Sequence, residues 1–264
     1  MPPRWITVTI IGFWLATTGW MLYQEVSLRY HAGEPPPFGI DLTDEVGANT
    51  ITWSLLEKGE RVGIGKSYVR RRGDRTFQLY SDFRFTESLR FLSFKKVTSI
   101  THVTADGKLL GMSAEVEAEP PFVGEITARV QGQVDNGFLR PQVEVESAKG
   151  KIRLPLNEKV KVPGNVLNPM LLVNKYQGIR AGLSWRVPLL NPTSFNNLTI
   201  PFLDAEVSAA TLAWHRKEVP CFRIDYREPG KKVTARTWVR QKDGLVLQQQ
   251  AEHNGRQLIL ERDK

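Results

Sequence analysis

Four acid-or-amide pairs with glycine are the first residues here with types suited to chemistry: Asp106-Gly107, Asp135-Asn136-Gly137, Asp243-Gly244 and Asn254-Gly255. A carboxylate beside a pliant backbone can ligate a cation, and glycine amides can cradle a phosphate. The same pairs are also the strongest short hairpin signal, because both central residues of a type I′ turn need positive φ. Each pair lies between segments of alternating polarity, so turns are the expectation.

A second group is Arg236, Trp238 and Arg240 in "TARTWVR", which share one side of a predicted strand. Cation, aromatic and cation in a row can hold an acid group on the guanidiniums and an apolar chain on the indole. They can equally form a ladder that covers an outer sheet face.

Other chemistry is not spelled out. There is no Gly-x-Ser-x-Gly elbow, no His-Glu-x-x-His and no phosphate-cradling glycine loop. The stretch Gly182-Leu183-Ser184-Trp185 lacks the last glycine of the elbow. His31, His102, His215 and His253 are scattered, and Cys221 is the single cysteine. They offer neither a disulfide nor a zinc set. Asp41, Asp44 and Glu45 lack the alternating ligands of a calcium loop. We therefore expect no catalytic residue, metal or cofactor, and no enzyme. Cys221 has the opposite parity to Phe222, Ile224 and Tyr226, so it is not expected in the core unless a bulge at Pro220 reverses the strand.

These residues need elements to position them. The chain has 264 residues, 41% hydrophobic and 24% charged, with a net charge of +8, enough for one sizeable β domain or two small ones. Residues 5–24, "WITVTIIGFWLATTGWMLYQ", carry no charge and nearly span a bilayer core of ~30 Å at ~1.5 Å per residue. Trp5, Trp20 and Tyr23 lie at its ends, where amphipathic rings favour the interface. A cleaved signal peptide would have a shorter apolar run and small residues before the cut. The expected organisation is a membrane anchor over 1–24, a proline-rich tether over 25–49 and an exported β domain over 50–264. Arg4 favours a cytoplasmic N-terminus in the inner membrane, with the domain periplasmic or extracellular. Nucleic acid is then no partner. The arginines of "VRRRGDR" form either a solvated hairpin tip or a contact for anionic lipid or an acidic polymer.

From residue 51 onward, turn signals recur about every ten residues between short strands, the spacing of an all-β sandwich or barrel. In "TFQLYSDFRF", Phe77, Leu79, Phe83 and Phe85 share one parity against Gln78, Asp82 and Arg84. Glu115, Glu117 and Glu119, like Glu144 and Glu146, share strand faces that fit a charged solvent side. Gly63 and Gly65 allow their strand to bend. Residues 169–176, "PMLLVNKY", predict a two-turn helix between Pro169 and Gly178.

A curved antiparallel sheet over a short helix resembles the half-barrel of periplasmic Lol-type lipoprotein carriers and related bacterial domains of unknown function. "LLEKGERVGIGKSYV" resembles their first hairpin, and "RTWVRQKDGLVLQQQ" their last ones. "GIRAGLSWRVPLLNP" resembles a connector of membrane-anchored members. The resemblance implies an all-β half-barrel with one short helix, placed after the single transmembrane helix. The first functional expectation is a non-catalytic envelope protein that binds an apolar or lipid-like ligand, or a lipid-modified protein, and no site residue is carried over from the resemblance. Phe77, Leu79 and Phe83 would line the groove, Leu172 would sit on a helical lid, and Arg236, Trp238 and Arg240 are the further binding candidates. The rival expectation is an envelope scaffold whose core is filled by its own side chains.

Overall fold

Side chains at every second residue of Thr76–Phe85 are apolar, which suits a pleated strand with one buried face. The pattern repeats along most of the chain. The computed structural model describes residues 50–86 except 74, 94–120 except 106, 124–154 except 149, 160–162, 173–188, 202–253 and 256–263, with 13, 14, 17, 18 and 46 beside them. The first half of the domain contributes β1 (Ile51–Glu57), β2 (Glu60–Arg71), β3 (Thr76–Phe85), β4 (Phe94–Thr104), β5 (Leu109–Ala118), β6 (Ile126–Asp135), β7 (Phe138–Ser147), β8 (Gly150–Leu154) and the two-residue β9 (Val160–Lys161). The second half contributes β10 (Ser184–Pro188), β11 (Phe202–Trp214), β12 (Lys217–Arg227), β13 (Val233–Arg240), β14 (Val246–His253) and β15 (Arg256–Arg262).

All the paired strands form one antiparallel sheet that does not close into a barrel. Its order is β10 through β15, then β1 through β8, with β9 beside β7. Chain order is sheet order within each half, as hairpin signals predict. The exception is the join at the centre, where β15 pairs with β1 in the register Leu55↔Leu260.

One face of the sheet, here the inner face, carries two buried clusters. The larger joins Trp53, Leu55, Trp185, Val187, Ile224, Tyr226, Val239 and Leu260, drawn from strands between β10 and β2. So many neighbouring strands share a dry core only if that half of the sheet curls. On the opposite face the Trp214 Nε1–H donates to the Arg262 carbonyl (3.3 Å), four strands along. The smaller cluster joins Val69, Phe77, Leu79, Val103, Leu109, Leu139 and Val162. A row of Ser67, Ser81 and Ser99 runs across β2, β3 and β4 on the inner face. Ser67 and Ser81 are buried, and the Trp53 Nε1–H donates to Ser67 Oγ (3.0 Å).

Four expectations are corrected or bounded here. Residues 169–172 of the predicted helix, including Leu172, lie outside the described residues. The described remainder, from Val173 to Tyr176, is extended rather than helical. The Tyr176 N–H donates to the Gly244 carbonyl and the Val246 N–H to the Asn174 carbonyl, both at 2.9 Å, with Lys175 bridged to Leu245. Those cross-chain bonds replace the i→i−4 bonds of a helix, and Val173 and Tyr176 are buried in the larger core. Cys221 is buried, in a third cluster with Leu212 and Leu247 on the opposite face, so parity was read correctly but that face is not bare. Asp243-Gly244 turns the chain without a two-residue I′ loop. Gln241, Lys242, Asp243 and Gly244 all lie between the bonded Arg240 and Leu245, and only Gly244 has positive φ. At the N-terminus, Phe13, Trp14, Thr17 and Thr18 are helical, and the Thr17 hydroxyl donates to the Phe13 carbonyl (2.9 Å). The rest of the predicted anchor is outside the described residues, among which no helix is long and apolar enough to cross a membrane.

Candidate functional site

Of the seven candidate binding residues, Leu172 lies outside the described residues and the other six fall on two faces. Pairing runs from Phe83 through Gly65 to Trp53, and from Leu55 through Leu260 and Gln249 to Thr237, so Phe83 and Thr237 share the inner face. Trp238, Arg236 and Arg240 therefore point outward, opposite to Phe77, Leu79 and Phe83. The two sets do not form one site.

The outward set is already engaged. Arg236 Nε donates to Asp225 Oδ1 (3.1 Å), a carboxylate also held by Arg223. Arg240 grips Asp243 with two bonds, 2.9 and 2.7 Å. This pair holds the Asp243 carboxyl below its ordinary range, with Arg240 as the main cause. Trp238 packs onto the third cluster. The charge of both guanidiniums is therefore balanced within the sheet face. These contacts arrange Arg236, Trp238 and Arg240 as a ladder of ion pairs around an indole. Burial pushes the Cys221 thiol upward, so it is not an activated nucleophile.

On the inner face, Phe77 and Leu79 are only 3% and 6% exposed, in the smaller core cluster. They fill the sheet rather than line an opening. Phe83 differs. It is half-buried, its ring lies over Gly65, and a side chain at that glycine would sit 3.0 Å from the ring.

Phe83 begins a row that the sequence reading did not single out. In register across β3 to β8 stand Phe83, Val97, Val116, Ala128, Val145 and Ile152. All six are apolar. The first five are half-buried, and Ile152 on β8 is 60% exposed. Val130 and Val143 lie in the adjacent row. At ~4.8 Å between strands the row is about 24 Å long. The signal was present in "AEVEA" and "VEVES", where valines alternate with glutamates, but only register shows that they align.

The other sides of β2 to β8 carry Lys66, Asp82, Thr98, Glu115, Arg129, Glu144 and Arg153 in one continuous row. Arg129 meets Glu115 at 2.7 Å and Glu146 at 3.0 Å, and Arg153 meets Glu144 at 3.1 Å. Lys96 meets Glu117 at 3.2 Å. The Glu144 carboxyl is held low chiefly by its bond from Lys151. This is the charged solvent side expected for these glutamates, and it fixes the apolar row to the inner face.

In the larger core the Tyr226 hydroxyl is pushed up to about 12 by burial, within reach of the Thr237 and Tyr176 side chains. It stays protonated at neutral pH and acts as a hydrogen-bond group, not as a base. Among the described residues no cluster of His, Cys, Asp and Glu has the arrangement of a metal site.

No family model matches this chain, and no curated protein matches it. Among solved structures it is similar to the crystal structure of a β-barrel-like protein of the domain of unknown function DUF1849 from Brucella abortus. The two share 11% sequence identity over 81% of this chain and 95% of that one, with a TM-score of 0.45.

Proposed function

We propose that this chain is a non-catalytic envelope protein whose β domain shelters an apolar, acyl-type group, free or attached to a lipid or lipoprotein, on the inner face of its open sheet. The observation that carries this reading is the six-strand apolar row from Phe83 to Ile152, half-buried along its length and open at β8. A self-contained core would bury such a row, as it buries Phe77 and Leu79. An uncharged trough about 24 Å long at ~4.8 Å per strand suits an extended hydrocarbon chain, whose transfer from water yields ~0.8 kcal/mol per buried CH₂. The resemblance to Lol-type carriers agrees with it. In this reading residues 1–24 anchor the chain in the inner membrane, the N-terminus is cytoplasmic, and the domain works outside the cytoplasm on lipid or lipid-modified protein.

A fluorescent fatty-acyl probe titrated into the purified chain tests the proposal. The wild-type chain should bind it. Val116→Asp, at the middle of the row, should weaken binding at least tenfold while the β circular-dichroism signal stays. A wild-type chain that binds no apolar probe would sink the reading. It would then favour the scaffold alternative, which the filled positions of Phe77 and Leu79 support.

A further inference from the structure

The outer face holds a hollow that belongs neither to the apolar row nor to the ion-pair ladder. The residues Arg70, Gln78, His102, Gly111, Gln133 and Arg140 lie side by side across β2 to β7. Gly111 is the gap in this line of long polar side chains. The register also shifts between His102 and Val103, so Leu110 is an extra residue that stands at the rim, 40% exposed. Missing side chain and bulge together open a hollow of about 440 Å³, within the ~300–1,000 Å³ usual for small-molecule sites.

Its polar walls are Arg72, His102, Ser113, Gln131 and Gln133, beside the apolar Leu110, Met112 and Val134, with no carboxylate among them. That sets it apart from the rest of the outer face, where Lys96, Arg129, Lys151 and Arg153 each meet a glutamate. Arg72 makes no ion pair among the described residues. Arg70, Arg71 and Arg75 stand on the same hairpin against the single acid Asp74, so the sequence there carries a net positive charge. Guanidinium, amide, hydroxyl and imidazole groups around an open hollow suit an anion that also carries hydroxyls.

We propose that this hollow binds a sugar-sized polar molecule bearing an oxyanion, either phosphate or carboxylate. The groups facing His102 are Arg72 from the end of β2, Gln78 on β3, Gly111 and Ser113 on β5, and Gln131 and Gln133 on β6. Burial first and Arg72 second push the His102 imidazole below its ordinary value, so it is neutral at pH 7. A bound oxyanion raises that value, and binding strengthens as pH falls through it.

The test uses the full chain in detergent micelles. Calorimetry with glucose 6-phosphate, glucuronate and glucose separates phosphate, carboxylate and neutral sugar. At least one charged sugar should bind with a Kd of about 1 mM or tighter, and glucose at least tenfold more weakly. Which charged sugar binds better identifies the oxyanion. Arg72→Gln and Gln133→Glu, both on the solvent face, should each reduce binding at least tenfold without changing circular dichroism. Nuclear magnetic resonance of the His102 ring should show its pKa rising on addition of the bound sugar, and rising also in Arg72→Gln without ligand. The proposal is overturned if neither charged sugar binds, if glucose binds equally well, or if both variants bind as the wild type does.

Discussion

Gly244 is constrained twice. Its φ of +74° suits glycine, and a Cβ there would run into the carbonyl oxygen of Tyr176. The strand-like segment from Val173 to Tyr176 docks on this turn through the Tyr176 N–H and the Gly244 carbonyl. Replacing Gly244 with valine should therefore cost well over the ~1 kcal/mol of strained φ alone, measured as a drop in urea midpoint. Its neighbour sets a pH dependence. A carboxyl whose folded pKa lies below the unfolded value stabilises the fold above the unfolded value, ~3.9 for aspartate, and loses that contribution as pH falls through the folded one. Asp243 is such a group, held by Arg240. Asp243→Asn should cost about 0.2–1 kcal/mol at neutral pH and almost nothing once the pH has fallen below the folded value of the wild-type carboxyl. An unchanged acid limb in the variant's stability profile would show that the pair contributes nothing. The sequence let Arg236, Trp238 and Arg240 be placed on one side of a strand, because parity is a local property. Whether their charges were spoken for depended on Asp225, which comes from another strand.

The turn between β11 and β12 is made by His215 and Arg216, both non-glycine residues at positive φ, 47° and 63°. Trp214 pairs with Lys217 across it, so this is a two-residue hairpin with unfavourable residues at both central positions. The His215 ring lies 4.4 Å from the Trp214 indole, which offsets part of that strain. Replacing the pair by Asn-Gly should raise the thermal midpoint, with a gain of about 0.5–1 kcal/mol. A lower midpoint would mean the ring contact outweighs the backbone term. Turns of this kind were legible where glycine or asparagine marks them, as at Asn136-Gly137, with φ of 50° and 77°. The predicted helix failed for a related reason. Proline before an apolar run and glycine after it fit helix ends, yet a run of four apolar residues also fits a buried extended segment. Tertiary partners in the β13–β14 turn and at the start of β14 decided between them at Val173 and beyond.

Sheet order was legible only within each half, since hairpins are local and the pairing of β15 with β1 is not. That central pairing holds the two halves together through Leu55↔Leu260, the Asp263 N–H donating to the Thr52 carbonyl, and Ser54 Oγ donating to Asp263 (2.7 Å). Deleting residues 256–263 should abolish cooperative unfolding, because it exposes an edge on both β14 and β1 and uncovers Leu55. Two separate transitions, or none, in a denaturant titration would bear this out, whereas one sharp transition near the wild-type midpoint would show that each half needs no partner. The apolar row was the least legible feature. Six apolar residues spread over some seventy positions become one row only once six strands are in register.

The same central seam sets a clock during synthesis. Ser54 and its partner Asp263 are 209 residues apart, so at ~5–20 residues per second the ribosome needs about 10–40 s between making one side and the other. Through that interval the first half is able to zip up hairpin by hairpin, while β1 presents an unpaired edge next to Trp53 and Leu55. A newly made chain must be kept from sticking to its neighbours until the last strand arrives. A permuted gene that starts at β10, links β15 directly to β1 and stops after β8 would remove the wait, since every long strand would then follow its partner.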